Sequence, residues 1–458
     1  MTKLARKLRL FDYFALAFGV MVGTGWLVVM DDILKRGGPA GAMLGFTAGA
    51  LMLLPIGYVY GQLVQAMPDA AGEVAYTARF FPTFVSFATG WVMLLSYGLT
   101  CPFEALAAGR ICGYLFPSMN TFELYRLGGH PVYLPHVVLG LTITVALGWL
   151  NYRGIQASAR FMRWTTFTFL TLVIIFALAG AKHGSVANLQ PLFTHTPLLS
   201  VLLVWQIVPW LLSGFEAVGK CAEEASPDFR EHDFSVAVML TIFVGLAFFW
   251  FVILTVAYVA PAQVLNSGGP LPVAIVFERA LHAHWIVDLI MVSALVAVLR
   301  TFNGNMIASS RLLFAMGRRN LIDPRMGFVH PQNQTPTIAV IAVGSATAVA
   351  VFFGQAGLVP ILEVGAVASS VGWMAACASY FCLKPAFSAR AIAVFGLLVT
   401  LLMILVKVIP VIPGHFTRYE WIALTIWLGL GGVFRATRRG NSQETERKTV
   451  PIFVEEEE

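Results

Sequence analysis

Two short glycine-bearing interruptions sit inside apolar stretches of this chain: Val22-Gly23-Thr24-Gly25-Trp26 and, about 190 residues on, Leu211-Leu212-Ser213-Gly214-Phe215-Glu216. In lipid, a backbone N–H or C=O without a partner costs several kcal/mol. A helix break inside a membrane therefore persists where it lines a cavity or meets a ligand. Breaks at corresponding places in two segments are the best sequence pointer to a binding site. The first break frees the N–H groups of Gly23, Thr24 and Gly25 at the positive N-terminal end of a half-helix, which suits a carboxylate. The second frees carbonyls near Leu211, Leu212 and Ser213 at the negative end of a half-helix, which suits an ammonium. The alternative is that Gly23, Gly25 and Gly214 are small residues for close helix packing alone.

Ionisable residues inside apolar stretches are the second chemical signal, since each costs at least about 2.5–3.5 kcal/mol at mid-bilayer. Glu104, Glu216, Arg300 and Lys407 stand out. Glu216 directly follows the second break and reads either as a proton acceptor or as a fixed hydrogen-bond brace. Lys407 reads as a side chain that snorkels to the lipid surface. The histidines offer only His282-x-His284 at close spacing, too few ligands to close a zinc shell. The five cysteines show no CxxC pattern, and no phosphate-binding Walker sequence is present. No catalytic residue, metal or cofactor is called for.

The elements that position these groups follow from composition. The 458 residues are 58% hydrophobic and only 12% charged, against roughly 25% charged in a soluble domain. The net charge of +6 is not a nucleic-acid signal, because the basic residues cluster between apolar segments. Twelve segments of about 20 residues can be drawn, at 11–33, 40–66, 82–116, 131–151, 160–180, 198–224, 234–260, 284–316, 336–354, 358–383, 391–411 and 417–435. Lys3, Arg6, Lys7 and Arg9 begin the chain, and Arg79, Arg153, Arg230, Arg318, Arg319 and Lys384 fall in the even-numbered connections. That bias puts both termini in the cytoplasm and the chain in a cell membrane as a multi-pass protein. Basic Met1–Leu10 runs into the first segment without a cleavage pattern and reads as retained.

The breaks lie in segments 1 and 6. Five segments separate them, so the two broken helices run in opposite directions, as in a 5+5 inverted repeat. This divides the chain into residues 1–180, 181–385 and 386–435, with a disordered polar tail over 436–458 that ends in four glutamates.

The flanking residues carry a resemblance. Phe18-Gly19-Val20-Met21-Val22-Gly23-Thr24-Gly25-Trp26, Trp210-Leu211-Leu212-Ser213-Gly214-Phe215-Glu216-Ala217 with Glu223-Glu224-Ala225-Ser226-Pro227, Asn151-Tyr152-Arg153-Gly154 and Ser310-Arg311-Leu312-Leu313-Phe314-Ala315-Met316-Gly317-Arg318 stand in this order. Together they resemble the amino acid–polyamine–organocation transporter superfamily across segments 1–10. The resemblance implies an all-α, leucine-transporter-like fold with 12 transmembrane helices and alternating access.

It also implies that Trp210 matches an aromatic gate, with a packed core tryptophan as the alternative, and that Glu216 matches an acidic position coupling two gates. In that fold Glu104 and Arg300 face each other, so an ion pair is expected; holding an acidic substrate group is the competing role for Arg300. Trp26 departs from the smaller aliphatic residue usual there and would narrow the site. Thr168 and Phe169 stand where proton-coupled relatives carry a lysine in segment 5, so proton coupling, if present, would run through Glu216 or Glu104. Thr301, Ser309 and Ser310 lie near the ion site of sodium-coupled relatives of the fold.

The resulting expectation is a secondary transporter of a small amino acid, with an organic amine as the alternative substrate class and a non-transporting receptor or a membrane enzyme as other classes. The expected site comprises Val22, Gly23, Thr24, Gly25, Trp26, Trp210, Leu211, Leu212, Ser213, Gly214 and Phe215, with Glu216, Glu104 and Arg300 in gating or coupling. Substrate identity, coupling ion and oligomeric state are left open.

Overall fold

The helix is one of two backbone forms that satisfy every N–H and C=O without water, and the apolar segments accordingly form helices. The computed structural model describes residues 3–127, 130–259, 272–282, 284–412 and 415–436. The tail expected to be disordered lies outside them. Segment 1 forms α1 (Leu10–Met21) and α2 (Gly25–Val28), and segment 2 forms α3 (Met30–Ala66). A short α4 (Glu73–Phe80) leads into α5 (Thr83–Leu115), followed by α6 (Leu134–Arg153) and α7 (Ile155–Ala181). Segment 6 is divided into α8 (Pro197–Trp205), α9 (Val208–Leu211) and α10 (Ala217–Lys220). Then come α11 (His232–Val259), α12 (Pro272–Leu281), α13 (His284–Arg318), α14 (Thr337–Ala350), α15 (Gly354–Cys382), α16 (Phe387–Val408) and α17 (Arg418–Ala436).

Among the described residues nine helices are long and apolar enough to cross a membrane, with α1 and α2 together counted as one. The protein is therefore an all-α, multi-pass membrane protein. Segments 6, 9 and 12 are the expected spans outside that nine: the first is broken, the second is a shorter apolar helix at Thr337–Phe353, and the third is α17.

Two local features differ from the sequence reading. The helix of segment 2 begins at Met30 rather than near residue 40, and it kinks at Gly38, whose φ of 67° breaks the helix just before Pro39. An antiparallel hairpin, β1 (Glu123–Leu127) and β2 (His130–Tyr133), caps the connection between α5 and α6. Strand pairing satisfies its backbone outside the apolar segments, where hydropathy carries no signal.

The broken segments lie inside the bundle. α1 packs against α7, α11 and α13, and α8 against α3. Gly214 fixes how closely the two breaks approach. Its φ of 126° is open to glycine, and a Cβ placed there would lie 2.6 Å from the Met21 backbone nitrogen. Backbone meets backbone at this point, with no room for a methyl group. Gly214→Ala is expected to combine backbone strain with a clash and cost at least about 2 kcal/mol. Thermal melting of the purified protein checks this; an unchanged melting temperature would contradict the close approach.

Candidate functional site

The α1–α2 break leaves two sets of orphan groups. Val22 closes α1 by donating to Phe18, whereas the N–H groups of Gly23, Thr24 and Gly25 find no backbone acceptor among the described residues. The released carbonyls are met from α13: Thr301 Oγ1 donates to Gly19 (2.9 Å) and Val22 (3.3 Å), and Arg300 Nη2 donates to Val22. The buried Glu104 of α5 comes to the amide side. Its Oε1 lies 2.7 Å from where a Cβ on Gly23 would stand, and the Thr24 N–H is directed at its carboxyl.

In the second break no described backbone N–H donates to the carbonyls of Leu211, Leu212 or Ser213. The Ser213 hydroxyl folds back onto the Trp210 carbonyl at 2.9 Å. Glu216 is buried and its Oε2 accepts the Gly214 N–H at 2.8 Å, so its carboxylate braces the break.

Between the breaks lies a cavity of about 100 Å³. Its walls are the α1–α2 break (Gly23, Thr24, Gly25, Trp26), the second break (Trp210, Leu211, Ser213, Glu216), α5 (Ser96, Tyr97, Thr100, Phe103, Glu104) and α13 (Thr301, Asn305). Phe249 of α11, Gly365 of α15 and apolar residues flanking the first break, among them Val20, Met21 and Val29, also line it. Trp210 also borders a second, smaller cavity against α15 and α16, so its ring stands between the two.

The other expected residues fall behind this wall. Val22 presents its carbonyl to α13 rather than to the cavity. Leu212 is buried beside Gly245, and Phe215 stacks on Trp373 and meets Tyr60 edge-on. Gly214 is pressed against Met21. Trp26 is buried with its ring edge-on to Phe169 and Phe176 of α7, so aromatic neighbours take up part of its bulk.

The expected Glu104–Arg300 ion pair is not formed. The guanidinium turns to the Val22 carbonyl and lies 4.3 Å from the Phe169 ring centre and 5.0 Å from that of Phe18. The Glu104 carboxyl instead faces the Thr24 N–H. Arg300 also lies outside the cavity wall, which removes direct contact with an acidic substrate group in this conformation.

Several residues escaped the sequence reading. Ser96, Tyr97 and Thr100 continue the helical spacing of the expected Glu104 along α5, a polar stripe that period counting would have caught. Glu73 and Lys220 form an ion pair with both side chains wholly buried, and Tyr60 donates to Glu73 Oε1. The Lys220 ammonium lies 5.4 Å from the Tyr97 ring centre. Nothing in their spacing links a connection before α5 to the end of α10.

Further ion pairs close the same end. Arg311 grips Glu224 with two hydrogen bonds of 3.1 and 2.8 Å, both side chains being wholly buried. Arg318 bridges Glu223 and Asp69. The segment before α1 is held on as well, with the Lys7 and Leu8 N–H groups donating to the Glu224 carbonyl and the Ser226 N–H donating to the Leu8 carbonyl.

A multi-pass helical protein with two facing breaks around a small cavity belongs to the class of membrane transporters, and comparison with known proteins agrees. The family model described as "Amino acid permease" matches residues 8–433, so the chain belongs to the amino acid permease family within the superfamily expected from its motifs. The methylthioribose transporter of Bacillus subtilis (strain 168) is 23% identical over 457 residues, covering 93% of this chain and 92% of that protein. The branched-chain amino acid permease BcaP of the same organism is 26% identical over 382 residues, covering 79% and 76%. Its amino-acid permease RocE is 23% identical over 387 residues, covering 81% and 79%. The family marks the chain as a transporter rather than an enzyme.

Removing one partner of a buried ion pair strands the other and costs about 3–5 kcal/mol. Glu73→Gln and Lys220→Met are each expected to lower the melting temperature sharply, while the double variant recovers much of the loss. Additive losses in the double variant would show that the two side chains do not act as a pair.

Proposed function

We propose that this permease carries a small amino acid across the cell membrane by alternating access. The observation that carries the reading is the cavity between the two breaks, with amides that have no backbone acceptor on one wall, Thr24 already facing Glu104, and carbonyls that have no backbone donor on the other, among the described residues. A zwitterion matches that polarity: its carboxylate against Gly23, Thr24 and Gly25, its ammonium against the carbonyls of Leu211, Leu212 and Ser213, near Ser213 itself. At about 10–15 Å³ for each water-sized position, the cavity holds roughly seven to ten non-hydrogen atoms. That range spans the small and medium amino acids. Trp210, standing between two cavities, acts as the gate.

The architecture we propose has 12 membrane helices, a 5+5 inverted repeat over residues 1–180 and 181–385, and two appended helices over 386–435. Both termini lie in the cytoplasm, following the loop charges. The ion-pair layers at Glu73–Lys220, Glu224–Arg311 and Asp69–Arg318 then close the cytoplasmic end and part when the site opens inward. Coupling, if to protons, runs through Glu216. It is buried and forms no ion pair among the described residues, and it faces Tyr97 of α5, Glu73, Tyr60 of α3 and Lys220 on its own segment.

A second reading is favoured by one observation. Glu104 already brings a carboxyl to the amides of the first break, so a substrate amine lacking a carboxylate would meet an anion there. Among the relatives, the name methylthioribose transporter likewise indicates a substrate that is not an amino acid.

Uptake of labelled amino acids into proteoliposomes, competed by their decarboxylated analogues, separates the two. The amino acid reading predicts that intact amino acids compete and the amines do not. Competition by amines alone would overturn the carboxylate assignment. Glu216→Gln is expected to flatten the pH dependence of uptake, and an unchanged profile would remove Glu216 as the proton site.

A further inference from the structure

Among the described residues, the charged groups on the wall of the main cavity are two carboxyls, Glu104 and Glu216, with no cation beside them. An anionic side chain on a bound amino acid would lie badly there. Arg300, the cation expected to receive such a group, stands outside that wall. The second cavity has the opposite balance. It measures about 40 Å³, is bounded by the turn between α8 and α9, by α15 and by α16, and shares Trp210 with the main cavity. Lys407 of α16 is the charged residue of its lining, and no acidic residue described there opposes it.

The same lining holds a second donor. Trp205, 8% exposed at the end of α8, has an indole N–H that finds no acceptor among the described residues. A buried N–H left unmet is costly, and a ligand that accepts from it removes the cost. Ser370 adds no further donor, since its hydroxyl already donates to the Ala366 carbonyl at 3.1 Å. At about 10–15 Å³ for each water-sized position, the cavity holds roughly three or four non-hydrogen atoms, the size of one carboxylate. An ammonium suits that group, because charge-assisted hydrogen bonds are about twice as strong as neutral ones.

We propose that the second cavity is a carboxylate subsite that sets substrate specificity. Lys407 and the Trp205 N–H receive the side-chain carboxylate of an acidic amino acid, whose own carboxylate and ammonium lie on the two breaks. Trp210, the partition between the cavities, turns aside to join them. Lys407 thereby has a use beyond reaching the lipid surface. The inference deepens the transport reading and rests on it for where the backbone of the substrate lies.

The experiment uses the full-length protein, by melting in detergent and by competition against uptake of labelled alanine into proteoliposomes. The probes are glutamate and glutamine, which match in size and differ in charge. In wild type, glutamate should compete about tenfold or more better than glutamine. It should also raise the melting temperature at lower concentration. Lys407→Met should remove the preference, and Lys407→Glu should reverse it in favour of ornithine over glutamate. Trp205→Phe, which keeps a ring and loses the N–H, should weaken glutamate more than glutamine. Glutamate no better than glutamine in wild type overturns the inference, as does a folded Lys407→Met that keeps the preference. If neither Lys407 variant folds, Trp205→Phe decides, and an unchanged preference for glutamate refutes the subsite. Acetate that raises the melting temperature as much as glutamate would place a separate anion in the cavity and overturn a single substrate spanning both. A wild type that does not take up alanine counts against the transport reading, while the melting comparison still tests the subsite.

Discussion

Every backbone polar group inside a bilayer needs a partner, and the two helix breaks place that demand at the centre of this protein. Interrupting α1 after Met21 and α9 after Leu211 exposes amides on one side and carbonyls on the other. Some are met permanently. Thr301 and Arg300 take the carbonyls at the end of α1, and Glu216 takes the Gly214 amide. Others face the cavity unmet, and these are what a polar ligand can satisfy. Gly214 sets the spacing between the two sets, because only a residue without Cβ fits against the Met21 backbone.

Part of the buried charge around the site is paired. Glu73 meets Lys220, Glu224 meets Arg311, and Asp12 meets the Arg163 side chain. The Glu73–Lys220 and Glu224–Arg311 pairs lie at the end of the bundle where the N-terminal segment docks on Glu224. A pair that costs several kcal/mol to split when alone can part without that cost if water enters at the same moment. Such pairs suit a closure that must be firm in one state and absent in another. Glu216 lines the cavity and is braced on the second break.

The sequence made the frame legible because lipid reads only a few properties. Length, apolarity and interruption are all one-dimensional, and segment 7, expected at 234–260, is α11 at His232–Val259. The glycine breaks were equally visible, and Gly23, Thr24, Gly25, Trp26, Trp210, Leu211, Ser213, Glu104 and Glu216 line one cavity. Directions were not legible. Val22, Leu212, Gly214 and Phe215 share the breaks yet face away, because an irregular backbone has no period from which to read a side. Arg300 was expected to pair with Glu104 and donates to the Val22 carbonyl instead. Charge suggested Glu104, whereas the released Val22 carbonyl was closer in chemistry and position. The Glu73–Lys220 pair joins residues 147 apart in sequence, and only the folded bundle brings them together.

The central claim is that the amides of the first break and the carbonyls of the second form one bipolar site. A structure of the protein with a transported amino acid bound tests it most directly. The account predicts ligand density between α5 and the two breaks, with its carboxylate within hydrogen-bond distance of the Gly23–Gly25 amides and its amine on the carbonyls of Leu211 to Ser213. Density lodged elsewhere, or the same ligand bound with its ends reversed, would contradict it.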